Sequence, residues 1–258
     1  MQGCDNSRGG GLLSVVGTGP GAVDLITPRA ERTIREADLI IGYRTYLDLV
    51  DHLFSPEQEV ISSSMMQEMD RCKKALDEAA AGKRVALVCG GDPGIYAMAG
   101  LVLELAAARN DHTSIDIIPG IAALNCCAAI LGAPLMHDFA SVSLSDLLTP
   151  WEVIEKRLEA AAMADFVIVL YNPKSKKRTS QIVRAQEIIL GHRSADTPVG
   201  IVSGGSRANE TIRITTLGGM LNEEIAMQTT VIIGNSATFA REGKMITPRG
   251  YKDKYGLE

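Results

Sequence analysis

The sequence predicts an α/β protein of two packed α/β lobes with mostly parallel sheets and a ligand cleft between them. Three observations carry that expectation. Short β-branched runs alternate with amphipathic helical stretches, the pattern of strands joined by crossover helices. Hydrophobic residues make up 46% of the 258 positions but aromatic ones only 4%, so the core must come from Ala, Val, Ile and Leu. The strand spacing changes after Pro119-Gly120, which places a seam there. Each half is long enough to bury a core, and a cleft between lobes is the default ligand site.

The elements follow in chain order. Leu12–Val16 is an apolar run closed by glycine, a strand that ends in a loop. Pro28–Ala37 has Thr27 as N-cap and proline at the first helical position, where a missing N–H costs nothing. After strand Leu39–Gly42, the helix Met65–Ala81 has Ser64 before it and Gly82 behind it, so both ends are marked. Strand Val85–Cys89, helix Ile95–Ala108 and strand Ile115–Ile118 complete the first lobe, 12–119. The second, 120–251, holds helices Ala122–Leu131, Trp151–Ala162 and Gln181–Leu190 with strands Phe166–Leu170, Val199–Val202, Ile212–Thr215 and Val231–Ile233. Its sheet is expected to turn more antiparallel around Thr211–Thr216, and 1–11 and 252–258 read as tails.

Charge and cysteine usage narrow the function. With 26 Lys and Arg against 31 Asp and Glu the chain carries −5, with no basic stripe and few rings for stacking bases, so nucleic acid is not an expected partner. The five cysteines, Cys4, Cys72, Cys89, Cys126 and Cys127, show no C-x-x-C spacing. They read as reduced, mostly buried thiols of a cytoplasmic protein, with no metal site. Ile117–Met136 carries no charge and is long enough to span a bilayer, but Pro119, Gly120, Asn125, Gly132 and Pro134 break it into strand, turn, helix and turn. No membrane segment is expected.

Two glycine loops point to a ligand. Gly17-Thr18-Gly19-Pro20-Gly21-Ala22 literally fits a dinucleotide fingerprint, which requires a helix to start at once and aim its N–H groups at pyrophosphate. Pro20 has no N–H, the helix start waits until Thr27-Pro28, and Asp38 precedes the second strand instead of ending it. Gly90-Gly91-Asp92-Pro93-Gly94-Ile95-Tyr96 follows a strand and lacks the Lys-Ser or Lys-Thr of a phosphate loop. In it Asp92 either caps a tight strand-to-helix turn or touches a ligand.

These loops, with PGIAALNCCAAILGAPL, SVSLSDLLTPWEVIEKRL, LYNPKSKKR and MITPRGY, resemble the tetrapyrrole (corrin/porphyrin) methylase family over nearly all of Leu12–Tyr251. The SLSDLLTPW, YNPKSKKR and TPRGY segments are similar to its C-17 branch, the precorrin-3B and cobalt-precorrin-3 methyltransferases of cobalamin biosynthesis. A uroporphyrinogen or precorrin-4 type methylase, and a non-catalytic module that holds a nucleotide or tetrapyrrole, stay open as alternatives.

The resemblance implies S-adenosylmethionine (SAM) as methyl donor, C-17 methylation with ring contraction, a precorrin-3B or cobalt-precorrin-3 substrate, and a homodimer. Carried over position by position, the SAM contacts are Pro20, Gly90, Gly91, Asp92, Ile95, Ala122, Ala123, Asn172 and Gly205. A cationic sulfonium without phosphate suits backbone groups and small side chains. The substrate is a polyanion, so a local positive face is needed; Lys174, Lys176, Lys177 and Arg178 form a basic run, and Arg178 and Arg249, with Tyr43, are the preferred substrate contacts. Ring contraction moves protons and calls for an acid or base, for which Ser143, Ser145, Asp146, His137, Asp138 and Tyr43 are candidates, Ser145 and Asp146 foremost. Asp146 reads equally as a helix cap and His137 as a structural histidine.

Overall fold

A computed structural model describes residues 11–64 and 67–256. Cys4 and the first two residues of the helix expected over Met65–Ala81 lie outside them. The described residues divide into two compact units, one up to Ala123 and one from Leu124 onward.

The first unit contains β1 (Leu12–Gly17), α1 (Pro28–Arg35), β2 (Leu39–Tyr43), α2 (Arg44–Leu47), β3 (Glu59–Ser63), α3 (Glu68–Ala80), β4 (Arg84–Cys89), α4 (Ala99–Arg109) and β5 (Ser114–Ile118). Its sheet has the order β3-β2-β4-β1-β5, and every pairing in it is parallel. Alternate strand residues face opposite layers, as the period of two requires. Leu13, Val15, Ile41 and Leu87 pack on α3 and α4, while Val16, Ile40, Ala86 and Val88 pack with Ala30 and Ile34 of α1. Both faces are covered, the usual condition for a parallel sheet.

The N-cap of α1 is as expected, with Thr27 Oγ1 accepting from Ala30 N at 3.2 Å. Two helix starts differ from expectation. Tyr96 adopts a left-handed backbone (φ 53°), so the chain turns once more after Pro93 and α4 begins at Ala99 instead of Ile95. At α3 the cap position belongs to Gln67, whose Oε1 reaches back to Ser64 N at 2.9 Å. Asp38 grips Arg84 across the starts of β2 and β4 (2.8 Å), and these bonds hold its carboxyl below the usual range.

The second unit contains α5 (Ala123–Leu131), β6 (Gly132–Ala133), β7 (Phe139–Ser143), α6 (Trp151–Met163), β8 (Val167–Tyr171), α7 (Ser180–Leu190), β9 (Pro198–Ser203), β10 (Thr211–Thr216), β11 (Thr229–Ile233), β12 (Phe239–Arg241), β13 (Lys244–Ile246) and α8 (Tyr251–Tyr255). The main sheet runs β10-β9-β11-β8-β7; only β7 and β8 pair in parallel. Ile154, Leu158, Ile182 and Ile189 of α6 and α7 pack on Ile168, Leu170, Ile201 and Val231. Leu131 of α5 packs against Gly200 in the middle of β9, a position with no room for a Cβ. A small sheet, β12-β13-β6, lies beside these elements in the chain.

The fully buried side chains of the three core clusters include no aromatic residue. The uncharged Ile117–Met136 stretch runs through β5, a turn, α5 and β6, and among the described residues no helix is long and apolar enough to cross a membrane.

Candidate active site

In an open parallel sheet, ligands bind beyond the carboxyl ends of the strands. Three neighbouring strands, β4, β1 and β5, end there in glycine turns that lock onto one another. Gly19 N donates to the Gly91 carbonyl at 3.1 Å and Gly91 N to the Gly19 carbonyl at 2.7 Å, a short antiparallel bridge between the first and second loops. Thr18 ties the same junction from below, its N and Oγ1 donating to the Cys89 carbonyl at 2.9 and 3.0 Å. The third loop is stitched on by Asp92: Oδ1 accepts from Gly94 N at 2.8 Å and Oδ2 from Gly120 N at 3.2 Å.

Close approach explains the glycines. A Cβ on Gly17 would lie 2.6 Å from the Gly91 carbonyl oxygen and 2.7 Å from Gly120 N, and one on Gly120 would collide with the same oxygen. On the flank of β4, a Cβ on Gly90 would strike the ring of Tyr46, which lies edge-on to Tyr43 at 5.6 Å. Pro20 and Ala122 are buried; Gly90, Gly91, Asp92, Ile95 and Ala123 are half-buried around this junction. The structure thus brings together the seven cofactor candidates of the first unit. Asp92 caps the turn and not α4.

In the second unit a polar network joins the ends of β7 and β8, where Ser143 and Tyr171 pair in register. Asn172, in the left-handed region at φ 49°, donates from Nδ2 to Ser143 Oγ at 2.9 Å, and Ser145 N donates to the same oxygen at 3.3 Å. Asp146 accepts from Gln181 Nε2 at 2.8 Å and stands 3.9 Å from Arg178 Nε. Tyr171 Oη accepts from Leu124 N at 2.8 Å, serving an otherwise orphaned N–H of the first turn of α5. Gly205 packs on Cys127 and Ile130 of the same helix.

The network changes the reading of Arg178. Its side chain is only 10% exposed, and its Nη1 donates to the Leu144 carbonyl at 2.9 Å and to the Asn172 carbonyl. Burial pushes the guanidinium down from its ordinary value, against the pull of Asp146. Arg178 clamps the two loops through Nη1, which commits that nitrogen to the protein's own carbonyls. Lys176 and Lys177 of the basic run are exposed, as is Arg249, which donates to the Met136 carbonyl at 3.2 Å. Asp146 caps no helix, since α6 starts at Trp151 behind Pro150. His137 Nδ1 accepts from Asp138 N at 2.8 Å, a local turn bond.

Sequence reading missed the Ser143–Asn172 link, although both residues sit in segments it had singled out. It also missed β3, whose mostly exposed face conceals the apolar signal, and with it the Ser62-Ser63-Ser64 run at its end. No acidic, cysteine or histidine cluster able to hold a metal occurs among the described residues, and Cys72, Cys89, Cys126 and Cys127 are free and buried.

The turns Gly17–Ala22, Gly90–Ile95 and Pro119–Ala123 contain no Lys or Arg. A backbone-lined site of small side chains, with a carboxylate and no cationic cradle, fits a phosphate-free nucleoside such as SAM better than a dinucleotide. Fold and turns define an α/β protein whose parallel sheet ends in three interlocked glycine turns, the place where such sheets bind ligands. The family model for Tetrapyrrole (Corrin/Porphyrin) Methylases matches residues 12–221, and the chain belongs to that family.

Individual relatives agree. The chain is 52% identical over 251 residues to a cobalt-factor III methyltransferase of Priestia megaterium, covering 96% of this chain and 46% of that one. It thus spans about half the length of that relative. It is 48% identical over 240 residues to a probable cobalt-factor III C(17)-methyltransferase of Salmonella typhimurium, covering 93% of this chain and 99% of that one. The crystal structure of the methyltransferase CobJ superposes with a TM-score of 0.88 at 37% identity, covering 92% of this chain and all of that one.

Proposed function

We propose that the chain is a SAM-dependent C-methyltransferase that methylates C-17 of a precorrin-3-type macrocycle, with contraction of the ring, in cobalamin biosynthesis. The observation that carries this reading is the end-to-end match to a C(17)-methyltransferase, 48% identical over 99% of its length, in a chain whose three glycine turns interlock at the carboxyl ends of the first sheet. Higher identity to two cobalt-factor III methyltransferases than to a precorrin-3B C(17)-methyltransferase, at 42%, favours the cobalt-containing substrate.

The proposed SAM contacts are Pro20, Gly90, Gly91, Asp92, Ile95, Ala122 and Ala123, with Asn172 and Gly205 included on the family resemblance. SAM, when bound, supplies an electrophilic methyl group on a sulfonium sulfur. The chain's part is to hold the reactants in line and exclude water, a contribution of roughly 7–11 kcal/mol in well-oriented systems. The interlocked turns are suited to it, because their backbone groups are already fixed to one another. Tyr43 and Arg249 remain proposed substrate contacts, while Arg178 acts as the clamp that sets Asn172.

For the protons moved in ring contraction, Asp146 and Ser145 are the proposed participants. The Asp146 carboxylate is oriented by Gln181 and is 31% exposed, so a ligand atom can reach it. A homodimer in the cytoplasm completes the reading, and four buried unpaired thiols suit a reducing compartment.

A thermal-shift series with SAM, S-adenosylhomocysteine and NAD tests it. A ligand at 100 times its Kd adds about 2.7 kcal/mol of stability. The sulfonium compound and its demethylated product are expected to raise the transition and NAD to leave it unchanged. A shift with NAD alone sinks the proposal, as does failure to transfer labelled methyl from SAM to cobalt-factor III.

A further inference from the structure

A pocket of about 500 Å³ opens at the carboxyl ends of β2 and β3, lined by Tyr43, Arg44, Thr45, Asp48 and the serines Ser62, Ser63 and Ser64. Behind its serine wall lies Arg71 of α3, only 5% exposed. A buried cation is ordinarily found beside a carboxylate. Here the guanidinium's partners are all neutral: Nε donates to Ser63 Oγ at 2.7 Å, Nη2 to the Ser64 carbonyl at 3.1 Å and Nη1 to the Met98 sulfur at 3.7 Å. Among the described residues Arg71 makes no ion pair, although a guanidinium has five donors.

The uncompensated charge meets the pocket at Ser63, which accepts from Arg71 and donates to the Gly42 carbonyl at 3.2 Å. At the rim Arg44 is 81% exposed and lies 4.0 Å from Asp48, too loose and too solvated a pair to cancel either charge. Two arginines thus face one aspartate around a hydroxyl-rich hollow. The hollow lies within one or two strand spacings, roughly 5–10 Å, of the Gly90–Asp92 turn. Tyr46 links them, edge-on to Tyr43 on one side and against Gly90 on the other.

We propose that this pocket is a carboxylate-binding subsite: Ser62, Ser64 and Arg44 receive one peripheral carboxylate of a polycarboxylate macrocycle, and Arg71 compensates its charge from beneath Ser63. The proposal rests on the tetrapyrrole reading above and gives that substrate an anchoring point within the first unit.

The test uses the full chain and uroporphyrin III, a stable tetrapyrrole with eight carboxylates, titrated by its Soret absorbance, with S-adenosylhomocysteine titrated calorimetrically on the same preparations. Ser62→Asp and Ser62→Lys place opposite charges at one exposed position. The aspartate variant is expected to weaken uroporphyrin binding at least tenfold and the lysine variant to keep or tighten it, while S-adenosylhomocysteine affinity stays within twofold of wild type. Arg71→Gln, if its melting curve shows it folded, is expected to lose tenfold or more. Equal effects of the two Ser62 variants, or no effect of either, overturn the subsite, as does a wild type that binds S-adenosylhomocysteine but not uroporphyrin. Failure of wild type to bind S-adenosylhomocysteine strikes the methyltransferase reading instead.

Discussion

Replacing Asp92 with alanine tests whether the three glycine turns act as one piece. The carboxylate accepts two backbone N–H bonds, from Gly94 at 2.8 Å within its own loop and from Gly120 at 3.2 Å in the next. Hydrogen bonds to a charged group contribute about 1.5–3 kcal/mol each. The first of these bonds is exposed and the second part-buried, so the lower figure applies to both and the loss is about 3 kcal/mol. At about 2–4 °C per kcal/mol for a chain of this size, the melting temperature should fall by about 6–12 °C. Affinity for S-adenosylhomocysteine should fall with it, at least tenfold, because the loop after β5 is no longer held to the loop after β4. Asp92→Asn retains one acceptor oxygen and should lose about half as much stability. Calorimetric melting and ligand titration of wild type and both variants give all the numbers. If Asp92→Ala melts within 1 °C of wild type while ligand affinity collapses, the carboxylate serves only as a ligand contact and does not stitch the turns together, and the reasoning fails.

Other expectations follow from single contacts. Gly200→Ala drives a methyl group into Leu131, which is fully buried, so overpacking should cost about 1–3 kcal/mol in urea unfolding. Arg178→Ala strands the carbonyls of Leu144 and Asn172, costing about 2–4 kcal/mol, whereas Arg178→Lys should be intermediate; equal midpoints for all three proteins would contradict the clamp. Burial pushes the Cys72 thiol up to about 11 and those of Cys89 and Cys127 to about 12, so these thiols should resist a disulfide reagent at pH 8 until the protein is unfolded. Hydrogen bonds from Lys74 and Lys83 lower Glu78 from 4.5 to about 2, so its contribution is complete above pH 4.5 and fades as pH falls toward 2. Glu78→Gln should therefore flatten the acid limb of stability in that window, less so at high salt because both lysines are open to solvent.

Much of the architecture was legible because it is written in local chemistry. Thr27-Pro28 announces α1, and Gly82 closes α3, through backbone groups that have to be satisfied wherever the helix lies. Apolar runs such as Val85–Cys89 could only be buried strands. The strands that escaped notice, β3, β6, β7, β12 and β13, are short or largely exposed, and their existence depends on a partner strand; the missed helices α2 and α8 are only four and five residues long. Likewise α4 starts late because Tyr96 takes a left-handed turn that no propensity favours.

The glycine turns could be marked as ligand loops from composition alone: two strands end in glycine, no basic residue follows, and Pro20 rules out a dinucleotide helix. What such marks cannot show is which groups meet. That Gly19 bridges Gly91, that Asp92 reaches Gly120, that Arg178 faces inward to two carbonyls and that Arg71 is buried with no acid paired to it among the described residues are facts of pairing in the fold. An arginine in a basic run looks like an anion site when only neighbours in sequence are known. Desolvation and hydrogen-bond geometry, which exist once the strands have packed, make Arg178 a clamp and leave Arg71 with charge to offer.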